Sequence, residues 1–288
     1  MGLNSKIIIH LMGLLLLFNG GFMVLAALVS GLYADGATLG ISVAAVTTLF
    51  VGTVAMYLTR GHKKEVKRKE GYIIVAMGWI IMSASGVLPY ILSGSIPELS
   101  NAFFETMSGY TTTGATILND IESMPEGILF WRSLTHWIGG MGIIVLAIAI
   151  LPLLGIGGMQ LFAAEAPGPG GDKLHPRITD TAKRLWFIYL GYTVAETLLL
   201  KLAGMSFFDA VNHALSTLST GGFSTKNASI AHWNSQPLIQ YIIMLFMFLA
   251  GTNFVLSYFA FKGRVQKVIR DEEFKYFAIF IGIFALLV

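Results

Sequence analysis

Long runs of apolar residues, separated by short polar links, dominate the chain. A helix of roughly 20 mostly apolar residues is long enough to cross the hydrocarbon core of a bilayer. The runs occupy residues 7–32, 37–58, 72–92, 129–154, 185–202 and 238–261, and a seventh begins near residue 274. The pattern therefore predicts an all-α integral membrane protein. Tyr33-Ala34-Asp35-Gly36 is predicted to be a tight turn that joins the first two spans into a hairpin.

The composition supports this class. Hydrophobic residues make up 55% of the chain and charged residues only 12%, well below the charged share of a soluble domain. There is no cysteine, which excludes disulfides, thiolate metal sites and cysteine nucleophiles. Aromatic residues do not alternate with basic residues, so no nucleic-acid partner is predicted. The lipid bilayer is the predicted environment.

The basic residues predict the orientation in the membrane, because lysine and arginine accumulate in cytoplasmic links. Three links are rich in them, and their basic residues are Arg60, Lys63, Lys64, Lys67, Arg68 and Lys69, then Lys173, Arg177, Lys183 and Arg184, then Lys262, Arg264, Lys267 and Arg270. Residues 93–130 contain acidic residues and no lysine or arginine. The three basic links are therefore predicted to be cytoplasmic, and residues 93–130 to enter from the outside.

A short polar segment occurs twice between apolar runs. The two copies, Thr111-Thr112-Thr113-Gly114-Ala115 and Ser219-Thr220-Gly221-Gly222-Phe223, align when Gly114 is placed over Gly222, 108 positions later. Before the second copy, Ser206 and Asp209 fit a capping box. A helix of about 12 residues would follow, which spans half a bilayer. Pro97 suits the first turn of a matching helix before the first copy.

We interpret each copy as a re-entrant pore loop after a half-helix. Non-helical backbone at membrane depth persists only where it is buried in protein or lines a watery cavity. The negative dipole ends of the half-helices favour a monovalent cation, and backbone carbonyl oxygens can replace its water shell. The alternative is a pair of small-residue helix contacts. The predicted ion-binding residues are Thr112, Thr113, Gly114, Thr220, Gly221 and Gly222, flanked by Thr111, Ala115, Ser219 and Phe223.

Glu105, His136 and His213 are polar residues at membrane depth, and such residues are functional candidates by default. They come from different segments and lack the spacing of a helical metal motif. We therefore predict that they buttress helices, and that the protein is not an enzyme.

Three other charged residues and one sequence motif have simpler interpretations. Arg132 and Lys201 lie near the ends of spans and are predicted to reach the membrane interface. Glu196 lies deeper and is predicted to pair within the bundle. Asn227-Ala228-Ser229 matches a glycosylation acceptor, which we attribute to chance.

Two further segments of the chain are rich in glycine. Gly139, Gly140 and Gly142 are predicted to allow close helix packing behind the pore, with a hinge as the alternative. The link at residues 155–182 is rich in glycine but lacks the spacing of a phosphate-binding loop. It is predicted to be a docking or positioning loop.

A series of motifs resembles the superfamily of Trk, Ktr and HKT potassium and sodium transporters, and its TrkH branch in particular. The series consists of Thr111-Thr112-Thr113-Gly114-Ala115-Thr116, Trp137-Ile138-Gly139-Gly140-Met141-Gly142-Ile143-Ile144, Gly157-Gly158-Met159-Gln160-Leu161, Glu165-Ala166-Pro167-Gly168-Pro169, Pro176-Arg177-Ile178 and Gly221-Gly222-Phe223-Ser224-Thr225. These motifs extend in order over essentially the whole chain.

The resemblance implies four fused helix–pore-loop–helix units around one pore, preceded by an extra hairpin. The hairpin would be residues 1–59, the first unit residues 70–154, and the cytoplasmic link residues 155–182. The second unit would be residues 183–262, and residues 263–288 would begin a third. The third and fourth filters and the gating loop of the family are not in this sequence, so we expect it to be a fragment.

The resemblance also implies a function, which is potassium uptake across the bacterial inner membrane as the ion-translocating subunit of a Trk-type system. Potassium would be the ligand of the filter residues named above, with no covalently bound cofactor. Glycine at position 114 is typical of potassium-preferring members, and serine there of sodium transport. A sodium-selective or non-selective transporter and a non-conducting scaffold are the alternatives.

The implied partners are a second copy, forming a homodimer, and a cytosolic nucleotide-binding Trk/Ktr-type regulatory subunit. Proton-coupled and channel-like transport are both open.

Overall fold

The computed structural model describes residues 4–61, 68–142 and 178–287. These residues form helices and connecting loops, with no strand among them. The helices are α1 (Ser5–Tyr33), α2 (Thr38–Leu58), α3 (Arg68–Gly86), α4 (Leu88–Leu92), α5 (Leu99–Tyr110), α6 (Glu126–Trp137), α7 (Ile178–Leu202), α8 (Phe207–Leu218), α9 (Pro237–Gly251), α10 (Phe254–Phe261), α11 (Val265–Arg270) and α12 (Glu272–Leu287). The predicted all-α class is confirmed.

Four stretches of the described chain are long and apolar enough to cross a membrane. They are Ser5–Tyr33, Thr38–Leu58, Glu70–Leu92 and Lys183–Leu202. They coincide with the first, second, third and fifth apolar runs of the sequence. Helix α7 begins at Ile178, so the last residues assigned to the cytoplasmic link are already helical.

The predicted turn between α1 and α2 is present. Ala34 adopts a left-handed conformation with φ 50°, and Gly36 has φ 85°. The Asp35 carboxylate accepts hydrogen bonds from the Ser30 hydroxyl and from the Ala37 amide, the latter at 2.9 Å. It also accepts the Gly127 amide at 2.6 Å, which fixes the hairpin to the start of α6.

The sixth apolar run consists of two helices rather than one. Helices α9 and α10 meet at an angle of 104°, separated by Thr252 and Asn253. Thr252 has extended backbone, and the Asn253 side chain caps α10 by accepting the Val255 amide at 3.0 Å. Side chains of this kind offer the backbone an alternative to the helical ladder, which a hydropathy average does not register.

The fourth apolar run also changes conformation along its length. Helix α6 ends at Trp137 and is followed by one π turn, Ile138–Gly142. Within this turn Gly140 has a non-helical ψ of −116°. The remainder of that run, and the link up to residue 177, lie outside the described residues.

The short helices α5 and α8 lie inside the bundle. Helix α5 packs against α3 and α6, and α8 packs against α6, α7 and α9. Tyr110 at the end of α5 is buried and donates to the Asn19 amide oxygen of α1 at 2.6 Å. Tyr189 of α7 donates to the Trp137 carbonyl at 3.1 Å. Both half-helices therefore pack against several other helices, and their last turns are buried.

Candidate functional site

The two Thr/Gly segments adopt the same backbone conformation. Thr112 and Thr220 have φ values of 53° and 54°, and Gly114 and Gly222 have φ values of 75° and 93°. The members of each pair are 108 positions apart. The sequence repeat is therefore also a repeat of backbone geometry, at the C-terminal ends of α5 and α8. We call these segments loop 1 (residues 111–115) and loop 2 (residues 219–223).

Each half-helix ends in a Schellman motif. In loop 1 the Thr113 amide donates to the Ser108 carbonyl and the Thr112 amide to the Gly109 carbonyl, both at 3.0 Å. In loop 2 the Gly221 and Thr220 amides make the equivalent bonds at 2.9 Å. The left-handed position of this motif is usually glycine, whereas here it is threonine. A residue with Cβ in that region costs about 1–2 kcal/mol, and such strain is typical of functional sites.

Three carbonyl oxygens in each loop accept no hydrogen bond from the residues that the structure describes. Within the described residues, no donor reaches the carbonyl oxygens of Thr112, Thr113, Gly114, Thr220, Gly221 or Gly222. By contrast, the neighbouring Ala115 carbonyl accepts the Ser108 hydroxyl at 2.5 Å. The side chains of Thr111, Thr113 and Thr220 are exposed, so this part of each loop faces an open space. Thr113 and Thr220 are exposed residues with unpaired carbonyls, whereas Gly221 is buried and its carbonyl oxygen lies against Gly114.

The two loops touch each other through glycine. A Cβ on Gly114 would collide with the Gly221 carbonyl oxygen and lie 3.2 Å from its carbonyl carbon. A Cβ on Gly222 would meet nothing within 4 Å among the described residues. Glycine at position 114 is therefore required for the close approach of loop 1 to loop 2. At position 222 glycine is favoured only because the backbone has a positive φ.

The glycines after α6 pack directly behind the loops, as the sequence predicts. A Cβ on Gly139 would collide with the Tyr110 carbonyl at the end of α5. A Cβ on Gly140 would lie 3.0 Å from Cβ of Ser219, the first residue of loop 2. The π turn thus contacts the ends of both half-helices.

Arg132 does not reach the membrane interface, and that part of the sequence interpretation is wrong. Its side chain is 2% exposed, and its Nε lies 2.6 Å from a carboxylate oxygen of fully buried Glu105. Its Nη1 donates to the Ser224 carbonyl at 3.0 Å, just beyond loop 2. The guanidinium carbon lies 3.5 Å from the ring centroid of Phe223. The ion pair with Glu105 explains its burial. Lys201, in contrast, is exposed at the end of α7.

Glu105 binds the segment that follows loop 1. Its carboxylate oxygens accept the Thr116 hydroxyl at 2.9 and 3.0 Å, and one of them accepts the Ile117 amide at 3.0 Å. His213 stands 108 positions after Glu105 and has the same role in the second unit. Its Nε2 lies 3.0 Å from the hydroxyl of Ser224, the counterpart of Thr116. Its Nδ1 lies 2.8 Å from the Asp209 carbonyl, so Nδ1 carries the proton.

His136 supports loop 2 from behind. Its ring is stacked on Phe223, with centroids 3.8 Å apart and planes at 12°. Its Nδ1 lies 3.0 Å from the Ser216 hydroxyl of α8. Phe223 therefore lies between the His136 ring and the Arg132 guanidinium. The described residues contain no group of three histidine, aspartate or glutamate side chains that could hold a metal ion.

The helix cap before loop 2 differs in one detail from the predicted capping box. The Ser206 hydroxyl accepts the Asp209 amide at 3.0 Å, as expected. The Asp209 carboxylate instead accepts the Ser206 hydroxyl at 2.7 Å and the Thr225 hydroxyl at 2.6 Å. Asp209 thus links the start of α8 to the segment after loop 2. In the first unit, α5 begins at Leu99 with Glu98 as its cap, so Pro97 precedes the helix.

Asn227 joins the segments that follow the two loops. Its side-chain oxygen accepts the Ile121 amide at 2.6 Å and its side-chain nitrogen donates to Asp120 at 2.9 Å. Its backbone amide donates to Glu122 at 3.1 Å. The bond from Asn227 holds the pKa of Asp120 below its ordinary value. The Asn-Ala-Ser motif therefore has a structural explanation that the sequence interpretation missed.

Glu196 is fully buried in α7. Among the residues that the structure describes, no donor makes a hydrogen bond of normal geometry to either carboxylate oxygen, and Thr217 of α8 is the polar side chain that interacts with it. Its pairing within the bundle stays a prediction.

Comparison with known proteins decides the family. A family model described as TrkH, cation transport protein, matches residues 40–286. The chain belongs to the TrkH family. The resemblance inferred from the sequence motifs is thereby confirmed.

Several TrkH-family proteins are similar over nearly the whole chain. The Trk system potassium uptake protein TrkH of Salmonella typhimurium is 46% identical over 279 residues, which are 96% of this chain and 57% of that protein. TrkG of Escherichia coli is 36% identical over 277 residues. The crystal structure of the potassium transporter TrkH from Vibrio parahaemolyticus superposes with a TM-score of 0.83 at 39% identity, covering 99% of this chain and 58% of that one. This chain thus spans somewhat more than half the length of these TrkH proteins.

Proposed function

We propose that this chain supplies two helix–pore-loop–helix units of a Trk-type potassium uptake subunit. The first unit is residues 70–154 and the second is residues 183–262, preceded by the hairpin at residues 1–59. Membership of the TrkH family and the similarity to potassium uptake proteins support potassium as the transported ion. Its function is then transport rather than catalysis.

The proposal rests on the matched pair of loops, whose carbonyl oxygens are unpaired among the described residues. A potassium ion that leaves water needs oxygen ligands in place of its hydration shell. In both loops the left-handed threonine directs the amides of the loop back into the half-helix, through bonds of 2.9–3.0 Å. These backbone amides are therefore already hydrogen-bonded within the half-helices. The carbonyls of Thr112, Thr113, Thr220 and Gly221 accept no such bond and can coordinate the ion.

The electrostatics of the site favour a cation. The C-terminal end of a helix carries a partial negative charge of about half an electron. Both half-helices, α5 and α8, present that end to their loops. Among the described residues, Arg132 is the cationic side chain that contacts loop 2, and its charge is compensated by Glu105 at 2.6 Å.

The remaining parts of the proposal concern location and partners. The basic residues in the links at residues 60–69, 155–182 and 262–270 support a cytoplasmic position for these segments, with the loops entering from the outer face of a bacterial inner membrane. The chain acts in a homodimer, and residues 155–182 bind a cytosolic nucleotide-binding regulatory subunit.

Flux measurements on the complete transporter in liposomes test the proposal. We expect potassium and rubidium to enter and sodium to enter far more slowly. Equal potassium and sodium fluxes would replace the proposal by a non-selective transporter, and a sodium preference by a sodium transporter. No flux of any monovalent cation, with the regulatory subunit present, would indicate a scaffold.

A further inference from the structure

The two loops are connected by a continuous set of buried polar contacts that passes through Arg132. On one side, Glu105 holds the segment after loop 1 through Thr116 and Ile117, at 2.9–3.0 Å. On the other side, Arg132 holds the segment after loop 2 through the Ser224 carbonyl at 3.0 Å. The ion pair between Glu105 and Arg132, at 2.6 Å, joins the two halves.

The contacts are made at equivalent places in the two loops. Thr116 and Ser224 are 108 positions apart, as are the loop glycines. Glu105 engages the hydroxyl of the first of these residues, and Arg132 the carbonyl of the second. The Ser224 hydroxyl is held separately, by His213 at 3.0 Å. Ser224 is therefore fixed on two sides, and only one of these comes from its own unit.

The connection is one-sided. Residues 183–262 contain one arginine, Arg184, and its guanidinium donates to the Tyr258 hydroxyl. Thus the second unit has no arginine that could hold loop 1 in return. The first unit instead contributes a residue to the support of loop 2.

Arginine is suited to this task in a way that lysine is not. Its planar guanidinium donates from Nε to Glu105 and from Nη1 to Ser224, while its face lies 3.5 Å from the ring centroid of Phe223. A lysine ammonium is a point charge and cannot hold these three groups in one fixed arrangement. The ring of Phe223 is also clamped by His136 at 3.8 Å, so a shift of the guanidinium would be transmitted to loop 2.

We propose that Arg132 is a positioning residue through which the first unit sets the geometry of loop 2, with Glu105 both orienting Arg132 and neutralising its charge beside the ion path. The inference rests on the proposed function of the loops. It adds that the selectivity of loop 2 depends on a side chain outside its own unit.

Two variants of the complete transporter separate the effect of the position of the Arg132 side chain from the effect of its charge. Arg132→Lys keeps the charge but loses the fixed arrangement, and we expect the potassium-to-sodium uptake ratio to fall about tenfold, the effect of losing one charge-assisted hydrogen bond. Glu105→Gln leaves an uncompensated cation near the loops, and we expect the KM for potassium to rise about tenfold. Lys201→Gln, which removes an exposed charge far along α7, is the control and should leave both quantities unchanged.

The double variant Glu105→Gln/Arg132→Gln distinguishes this role from general damage to folding. Because it is neutral, its KM for potassium should return towards that of the wild type, while its selectivity ratio stays low. All values are normalised to protein in the membrane. If a variant at Arg132 fails to accumulate in the membrane, Phe223→Leu is tested in its place. This variant removes the ring that the guanidinium contacts and should also lower the potassium-to-sodium uptake ratio.

The outcomes distinguish the inference from the proposed function. A wild-type ratio in Arg132→Lys, in the double variant or in Phe223→Leu overturns the inference, as does an equal change in Lys201→Gln. If the wild-type transporter shows no potassium preference, the proposed function fails instead.

Discussion

Replacing Gly114 by serine should disturb the candidate filter through the contact between its two loops. The new Cβ would meet the Gly221 carbonyl oxygen well inside 3.0 Å, a separation below which real Cβ atoms are essentially never found. The atoms it meets are backbone, so they cannot rotate away as a flexible side chain would. The Gly221 carbonyl would have to withdraw by about 1 Å. That carbonyl is one of the proposed ion ligands.

Gly222→Ser provides a matched control. Gly114 and Gly222 both have positive φ, at 75° and 93°, so each serine incurs a left-handed penalty of about 1–2 kcal/mol. Only the serine at 114 adds the collision, because a Cβ at 222 meets nothing within 4 Å in the described part of the chain. The difference between the two variants therefore measures the effect of moving the Gly221 carbonyl.

We expect Gly114→Ser to lower the potassium-to-sodium uptake ratio about tenfold, which corresponds to about 1.4 kcal/mol, and Gly222→Ser to lower it less. Gly114→Ala should behave like the serine variant, since the collision comes from Cβ. The assay is rubidium and sodium uptake in potassium-transport-deficient cells, with the amount of transporter in the membrane measured alongside. An unchanged ratio at normal expression, or equal changes in both serine variants, would refute the reasoning.

Three further predictions concern the link, the chain length and the segments that follow the two loops. Replacing residues 167–169, which lie outside the described part, should weaken binding of the regulatory subunit in a pull-down without affecting membrane insertion; unchanged binding would exclude the docking role. The 288-residue chain alone should insert without conducting, because carbonyls on one side cannot replace a full hydration shell, and robust potassium uptake by it would contradict this. Asn227→Ala should lower the melting temperature in detergent by about 2–4 °C at pH 7, as expected for the loss of its hydrogen bond to the Ile121 amide, worth about 1 kcal/mol. Because Asn227 also lowers the pKa of Asp120, its bond to Asp120 adds a contribution that is present above the ordinary aspartate pKa and disappears as pH falls through the lower folded value. The wild-type and Asn227→Ala melting temperatures should therefore converge in acid, and a constant difference would exclude that contribution.

The sequence was sufficient to predict the loops because their signals are local. The repeated Thr/Gly segments, the 108-residue offset and the Ser206 cap all lie within short stretches, and each has a counterpart in the structure. The same offset also relates Glu105 to His213 and could have identified the residues that hold the segments after the loops.

The features that the sequence did not reveal depend on distant partners. Arg132 was assigned to the interface because its position near the end of an apolar run is typical of a long basic side chain there. Its counter-ion Glu105 lies on another helix, and burial follows only once both helices pack against loop 2. Likewise, the bend at Thr252 arises from a side-chain cap inside an apolar run, and hydropathy alone predicts a straight span.

The proposed function requires a potassium ion to be held by the backbone carbonyls of loops 1 and 2. The most direct test is a high-resolution structure of the complete transporter in rubidium, with the ion located by its anomalous scattering. We expect a peak within direct coordination distance of the carbonyl oxygens of Thr112, Thr113, Thr220 and Gly221. A well-ordered structure with no peak at the loops, or with a peak held by side chains elsewhere, would contradict the account.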